Sequence, residues 1–349
     1  MVNLSVLPNI NNKFQNIFHT KPKNIAIPTA IIAGVSVKLK SQPTEDSFEL
    51  TQKSENLNNK KFISEFIYGN NPSIENVMKT HDFTQYGKKG IPLKYPRENF
   101  VSDLNNSLNG LSCDAKKNIL EKFNLRENLD IDGIAKVNKS LELSSKEQNI
   151  NSIIEKFYSN EPNIKDENVN KAINTLIKGM PEFNMTIGKV QHGTHIYSVD
   201  IHTMQVMQKS LNHPDYETLS NEDKAVLKLA ILMHDFGKNG KVVTEGHASQ
   251  SKIDAQKVLE NYNIDNNIKD RVLNVVENHH WFEKYNKGII NAKEVKQIFK
   301  TPEDLKIAKI MAKSDLEGIS SGFHKWIMHT STQEEFDKLF YSKMDEINF

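Results

Sequence analysis

The run Ala225 to His234, AVLKLAILMH, is apolar on nearly every face of a helix and leads straight into Asp235. A helix of that composition has no solvent side and must be wrapped by other elements. The chain therefore folds around a helix that delivers a histidine and a carboxylate to the interior. Ser220 followed by Asp223 gives the run a capping-box-like start. Three further segments of helical period place an ionisable residue on an apolar stripe. They carry His202 between Val199 and Val206, His279 after Ile268, Val272 and Val275, and Asp315 after Leu305, Ala308 and Ala312. The last of these starts at Thr301, Pro302 and Asp304, residue types that suit a helix N-terminus. Taken singly, an inward histidine reads as a hydrogen-bonded core residue and an inward aspartate as a cap. Taken together, inward charge is costly enough that four helices carrying it point to a shared partner.

Composition narrows what that partner is. The 45 Lys and Arg against 44 Asp and Glu leave a net charge of +1, so no bulk field recruits nucleic acid or an anionic membrane. The single Cys113 excludes a disulfide framework, a cysteine-based zinc site and an iron–sulfur cluster, and it points to a reducing, cytoplasmic setting. Ten of the twelve histidines lie from His192 to His329, so the C-terminal half is where metal or acid–base chemistry belongs.

The 349 residues suffice for one large domain or two small ones. Residues 1–60, rich in Asn, Ser, Lys and Gln without a sustained period, read as a mostly disordered arm. Its apolar stretch Ile25 to Val37 is too short to span a bilayer, is interrupted by Pro28, and starts late for a cleaved signal peptide; it reads as a docking strand or sticky tail. Residues 61–180 alternate helical segments (KKFISEFIYG, RENFVSDLNNSLNGL, CDAKKNILEKFNL, NSIIEKFYS, VNKAINTLIKGM) with polar loops. This small helical region has no phosphate-binding loop, HExxH, GxSxG or CxxC, so packing or a protein partner is its role. Residues 181–330 are helical and carry the histidines, and 331–349 form a C-terminal helix or tail. The fold class is all-α.

The order His202, His234–Asp235, Asp315 is H…HD…D, and the central string HDFGK (His234 to Lys238) resembles the HDxGK signature of the HD-domain superfamily of metal-dependent phosphohydrolases. The resemblance runs over roughly residues 185 to 320. VQHGTHIYSVDIHTMQV (Val190 to Val206), EGHASQSKIDA (Glu245 to Ala255), ENHHW and IAKIMAKSDLEGIS (Ile307 to Ser320) are similar to segments of the HD domains in bacterial uridylyl-removing enzymes. The CCA-adding tRNA nucleotidyltransferases have a related first-helix entry. The Gly-rich turn and paired carboxylates of a nucleotidyltransferase domain are absent from this sequence, and so is the HHxxWDGxGYP pattern of cyclic-dinucleotide hydrolases.

The resemblance implies a helical bundle around a metal site. His202, His234, Asp235 and Asp315 would hold one divalent cation, and a mixed nitrogen and oxygen set suits Mn, Mg, Fe, Co or Ni better than structural zinc. Asp235 and Lys238 would be catalytic, the cation activating water and Lys238 holding a phosphate oxygen as a point charge. For Lys238 the plain alternative is a helix-end lysine favoured by the dipole. His247 and His279, with His280 able to replace His279, would line the phosphate pocket or move a proton in preference to holding a second metal. His195 would support the cluster from behind or contact backbone at the helix entry. His192, His213, His324 and His329 read as surface or packing residues. The implied reaction is hydrolysis of a small-molecule phosphoester or phosphoanhydride, in a nucleotide or nucleotidylated substrate. The alternatives are a non-hydrolytic sensor of nucleotide or metal acting through a partner, and a structural helical protein with coincidental histidines.

Overall fold

The computed structural model describes residues 57–125, 135–137, 143–191, 195–238, 246–319 and 328–347. Most of the expected N-terminal arm, with its apolar stretch Ile25 to Val37, lies outside these residues, as do His192 and His324. A π-helical turn, Phe62–Ile67, precedes α1 (Pro72–Thr80), α2 (Arg97–Leu108), α3 (Cys113–Lys122), α4 (Ser145–Tyr158) and α5 (Glu167–Gly179). Then come α6 (Val199–Leu211), α7 (Asn221–Met233), α8 (His247–Leu259), α9 (Asn266–Glu277) and α10 (Trp281–Asn286). The last are α11 (Ala292–Ile298), α12 (Pro302–Gly318) and α13 (Gln333–Asp345). Among the described residues there is no strand, only an isolated antiparallel bridge between Leu93 and Pro162. The all-α class read from the sequence is what the structure shows.

The helix starts follow local chemistry. Ser220 accepts the Asp223 amide and Thr301 the Asp304 amide, with Pro302 in the first turn of α12. Helix α1 was not among the expected segments; Asn71 caps it and Pro72 opens it. The segment KKFISEFIYG, expected as an ordinary helix, winds as the π-helical turn.

Helix α7 is the centre of the core. Every residue from Ala225 to Met233 is buried, Lys228 included. Helix α9 packs on α7 and α8, while α12 lies along α6 and also touches α7. No break in the core falls near residue 180. Helix α1 packs on both α5 and α6, and the π-helical turn packs on α5 and α7. Asp200, fully buried in the first turn of α6, accepts the Ile91 amide at 2.7 Å and the Gly188 amide at 3.1 Å. Gly90 has φ of +78°, and a Cβ there would lie 2.3 Å from the Gly188 nitrogen, so only glycine allows this approach. The N-terminal helices thereby fix the pose of α6, which carries His202.

Lys228 reaches from α7 into this seam, its Nζ 3.0 Å from Glu75 Oε2 and 3.3 Å from the Phe66 carbonyl. Glu75→Ala strands a buried ammonium, whereas Lys228→Met leaves a partly exposed carboxylate that keeps its ion pair with Lys79. Glu75→Ala is therefore the more damaging of the two, at about 2 kcal/mol, the buried-pair scale discounted for the exposure of Glu75. Urea denaturation of both variants checks the order, and equal or reversed costs contradict it.

Candidate metal centre

Each imidazole of the cluster is held by a backbone carbonyl that helix geometry leaves without an intrahelical partner. His234 follows the last turn of α7, and its Nδ1–H donates to the Ile231 carbonyl at 2.7 Å. His279 follows α9 in the same way, donating from Nδ1 to Val276 at 2.7 Å. His202, on α6, donates from Nδ1 to the Gly318 carbonyl at the end of α12, 3.1 Å away. These bonds fix the tautomer and turn each Nε2 lone pair inward.

The inward atoms crowd together. His202 Nε2 lies 2.9 Å from Asp315 Oδ1, 3.3 Å from His234 Nε2 and 3.5 Å from Asp235 Oδ2. His234 Nε2 lies 3.2 Å from Asp235 Oδ2 and 3.8 Å from Asp315 Oδ1. His202, His234 and Asp235 are almost fully buried, and Asp315, with its side chain 14% exposed, marks the open side. Lone pairs this close repel one another unless a positive charge lies between them. Donors about 2.1 Å from a cation, at tetrahedral or octahedral angles, stand about 3.0–3.4 Å apart. His202, His234 and Asp235, whose ligand atoms all lie within 4.8 Å of one another, fit one ion, and Asp315 adjoins them through the two histidines. Neither Asp235 oxygen nor His279 Nε2 makes a hydrogen bond among the described residues, although Lys238 Nζ is 2.6 Å from Asp235 Oδ2. Such orphaned buried acceptors fit a bound cation.

The two carboxylates are held in the ionised form that ligand duty requires. Burial alone would raise the Asp235 carboxyl, but the His234 and Lys238 charges outweigh it and hold it well below the usual range. Asp315 is likewise raised by burial and brought far down by its bond to His202 and the charges of His202 and His234. For His234, burial works against the proton and the Asp235 carboxylate more than restores it, so a cation taking its Nε2 displaces a proton.

A second group adjoins the first. His247 opens α8, His279 and His280 occupy the turn before α10, and their ligand atoms lie within 4.8 Å of one another. The buried Trp281 donates from its indole to the Ala308 carbonyl and pins that turn to α12. Burial, then the neighbouring histidine charges, hold His279 well below the usual imidazole value. Burial chiefly, with the His247 charge adding to it, lowers His280 to about 4 against the pull of Asp315. Both rings are therefore neutral, with lone pairs to offer. Asp235 stands between the groups, Oδ2 facing His202 and His234 and Oδ1 3.5 Å from His247 Nε2.

The other sequence candidates fall as follows. The His195 ring meets the His202 ring edge-on at 5.1 Å, behind the cluster, and burial chiefly lowers it to about 2. His213 is a packing residue, accepting the Asp215 amide and lying 3.4 Å from the Tyr341 hydroxyl. His329 has φ of +54°, in a turn before α13. Gly237 lies where a glycine commonly ends a helix. Its φ is not among the positive values, and what requires glycine is the first turn of α8, since a Cβ would lie 2.4 Å from the His247 carbonyl oxygen. Two residues had no signal in the sequence. Ser251 Oγ accepts the Gly237 amide at 2.9 Å, and Gln191 Oε1 accepts from Lys238 Nζ at 2.5 Å.

Comparison with known proteins finds a family match over the segment that carries this site. Residues 199–315 match the family model described as the HD domain. Neither a curated protein nor a solved structure matches the chain. No helix among the described residues is long and apolar enough to cross a membrane.

Proposed function

We propose, from the premise that this chain belongs to the HD-domain superfamily through residues 199–315, that it is a metal-dependent phosphohydrolase. Its substrate is a small-molecule phosphoester or phosphoanhydride, in a nucleotide or nucleotidylated compound of the cytoplasm. The observation that carries this reading is the crowd of buried lone pairs from His202, His234, Asp235 and Asp315, with a lysine at its edge.

Those four residues would hold the cation. When bound, a divalent ion supplies charge neutralisation to the phosphoryl group and an acidified water. The protein contributes the rest. The carbonyls of Ile231 and Gly318 keep the lone pairs of His234 and His202 aimed inward. Lys238 presents an ammonium beside the ligands, where it binds a phosphate oxygen and offsets charge that develops on it. The exposed edge of Asp315 is where substrate and water enter.

The group His247, His279 and His280 favours a second cation over the phosphate-lining role expected from the sequence. All three ligand atoms converge, His279 and His280 are neutral, and Asp235 has an oxygen for each group.

The test combines metal content with turnover. Purified protein is expected to hold one or two equivalents of Mn per chain. A cation at a hundred times its dissociation constant adds about 2.7 kcal/mol of stability, seen as a higher melting temperature that a chelator reverses. Incubation with Mn or Mg, a panel of nucleotides and a generic phosphodiester is expected to release phosphate or nucleoside. Tight metal without turnover of any of them moves the reading to the non-hydrolytic sensor; no metal at all sinks both.

A further inference from the structure

Lys238 is held at both ends. Its backbone follows Gly237, which is locked against α8 by the Ser251 hydroxyl and by lack of space for a side chain. Its tip lies 2.6 Å from Asp235 Oδ2 and 2.5 Å from Gln191 Oε1. A lysine side chain gives up about 2 kcal/mol of rotamer freedom when fixed, so an anchored tip is a built feature.

Gln191 lies in the irregular segment before α6. It is only 6% exposed, although Val190 and Ile196 near it in the chain are about half exposed. A buried amide is costly unless both its ends are bonded. Here Nε2 donates to the Tyr197 carbonyl at 3.4 Å, which leaves Oε1 toward the ammonium; the flipped amide would set an NH₂ group against an NH₃⁺ group. The acceptor is neutral, so the positive charge of Lys238 stays available to an anion, as it would not beside a glutamate. An ammonium has three donors. One is directed to Gln191, the ammonium is ion-paired with Asp235 Oδ2 without a hydrogen bond to it, and no other described residue accepts from it. A cation that takes Asp235 Oδ2 competes with Lys238 for the same oxygen, and Gln191 is then the anchor that remains.

We propose that Gln191 is a positioning residue: it holds the Lys238 ammonium at the rim of the histidine–aspartate cluster so that one of its remaining N–H donors meets a substrate phosphate oxygen. This rests on the phosphohydrolase reading.

The experiment is a double-mutant cycle on the full-length chain loaded with Mn, with inorganic phosphate as the probe and calorimetric titration as the readout. Lys238→Met is expected to weaken phosphate roughly tenfold, the scale of one charge-assisted hydrogen bond. Gln191→Met, similar in length but without an acceptor, is expected to weaken it about threefold or more in the wild-type background and by less than about twofold in the Lys238→Met background. Mn affinity, titrated alone, is expected to stay within about twofold in Gln191→Met. Gln191→Asn keeps the amide but withdraws its oxygen by one methylene, and it is expected to give the same pattern if the Met variant does not fold. Equal losses in both backgrounds, or no loss in the wild-type background, overturn the proposal. Absence of phosphate binding by the Mn-loaded wild type is a different result, seen before any variant is made; it overturns the phosphohydrolase reading and this proposal with it.

Discussion

Asp235→Ala abolishes cation binding at the cluster and takes phosphate release to background, a loss of at least about 10³-fold on the scale of removing a group that stabilises transition-state charge. The size follows from position. Asp235 is the carboxylate that reaches both histidine groups, with Oδ2 between His202 and His234 and Oδ1 toward His247. No other described carboxylate does this, so nothing substitutes for it. The fold is expected to survive. The alanine removes a charge that was itself costly to bury, and Lys238, with 13% of its side chain exposed, can turn its ammonium to solvent. Mn titration, phosphate release and a metal-free thermal melt on the same preparation check all three statements. Wild-type Mn affinity in the variant would sink the ligand assignment.

Gly237→Ala is expected to cost about 3 kcal/mol of stability, the upper range for forcing a methyl into a packed site. The added Cβ would meet the His247 carbonyl oxygen at 2.4 Å and the Ser251 nitrogen at 2.6 Å. Both are backbone atoms near the start of α8 and cannot rotate away. The turn must move as a unit, and His247 moves with it, so the variant is also expected to lose Mn at the three-histidine group before it loses Mn at His202 and His234. Urea denaturation gives the first effect and Mn stoichiometry the second; wild-type values for both contradict the packing argument.

The sequence exposed most where a period reported on burial. The stripes Val199–His202–Val206 and Ile268–Val272–Val275–His279 are buried along their whole length, and in both the period carries the ionisable residue inward with its apolar neighbours. Asp315 continues the buried stripe Leu305, Ala308, Ala312 in the same way. Helix α1 escaped because its buried stripe, Ile74, Val77 and Met78, is too short for a periodic signal. Gln191 escaped for another reason. It lies outside any helix, where spacing predicts no neighbour, and its partner Lys238 comes from the far side of α7 in the chain. The reason for Gly237 is not legible in the sequence because its conformation is ordinary, and a close approach by another helix leaves no mark in the local sequence.

Helix α6 has almost no bare side. From Val199 to Met207 every residue is buried, under α12 on one flank and under α1 and the segment around Ile91 on the other. The stretch that carries the family's signature is therefore not a portable cassette. Cut out at residues 199–315, it would leave behind one wall of its own chamber and leave Asp200 without the Ile91 and Gly188 amides that donate to it. The helices before it are the masonry that keeps His202 facing inward.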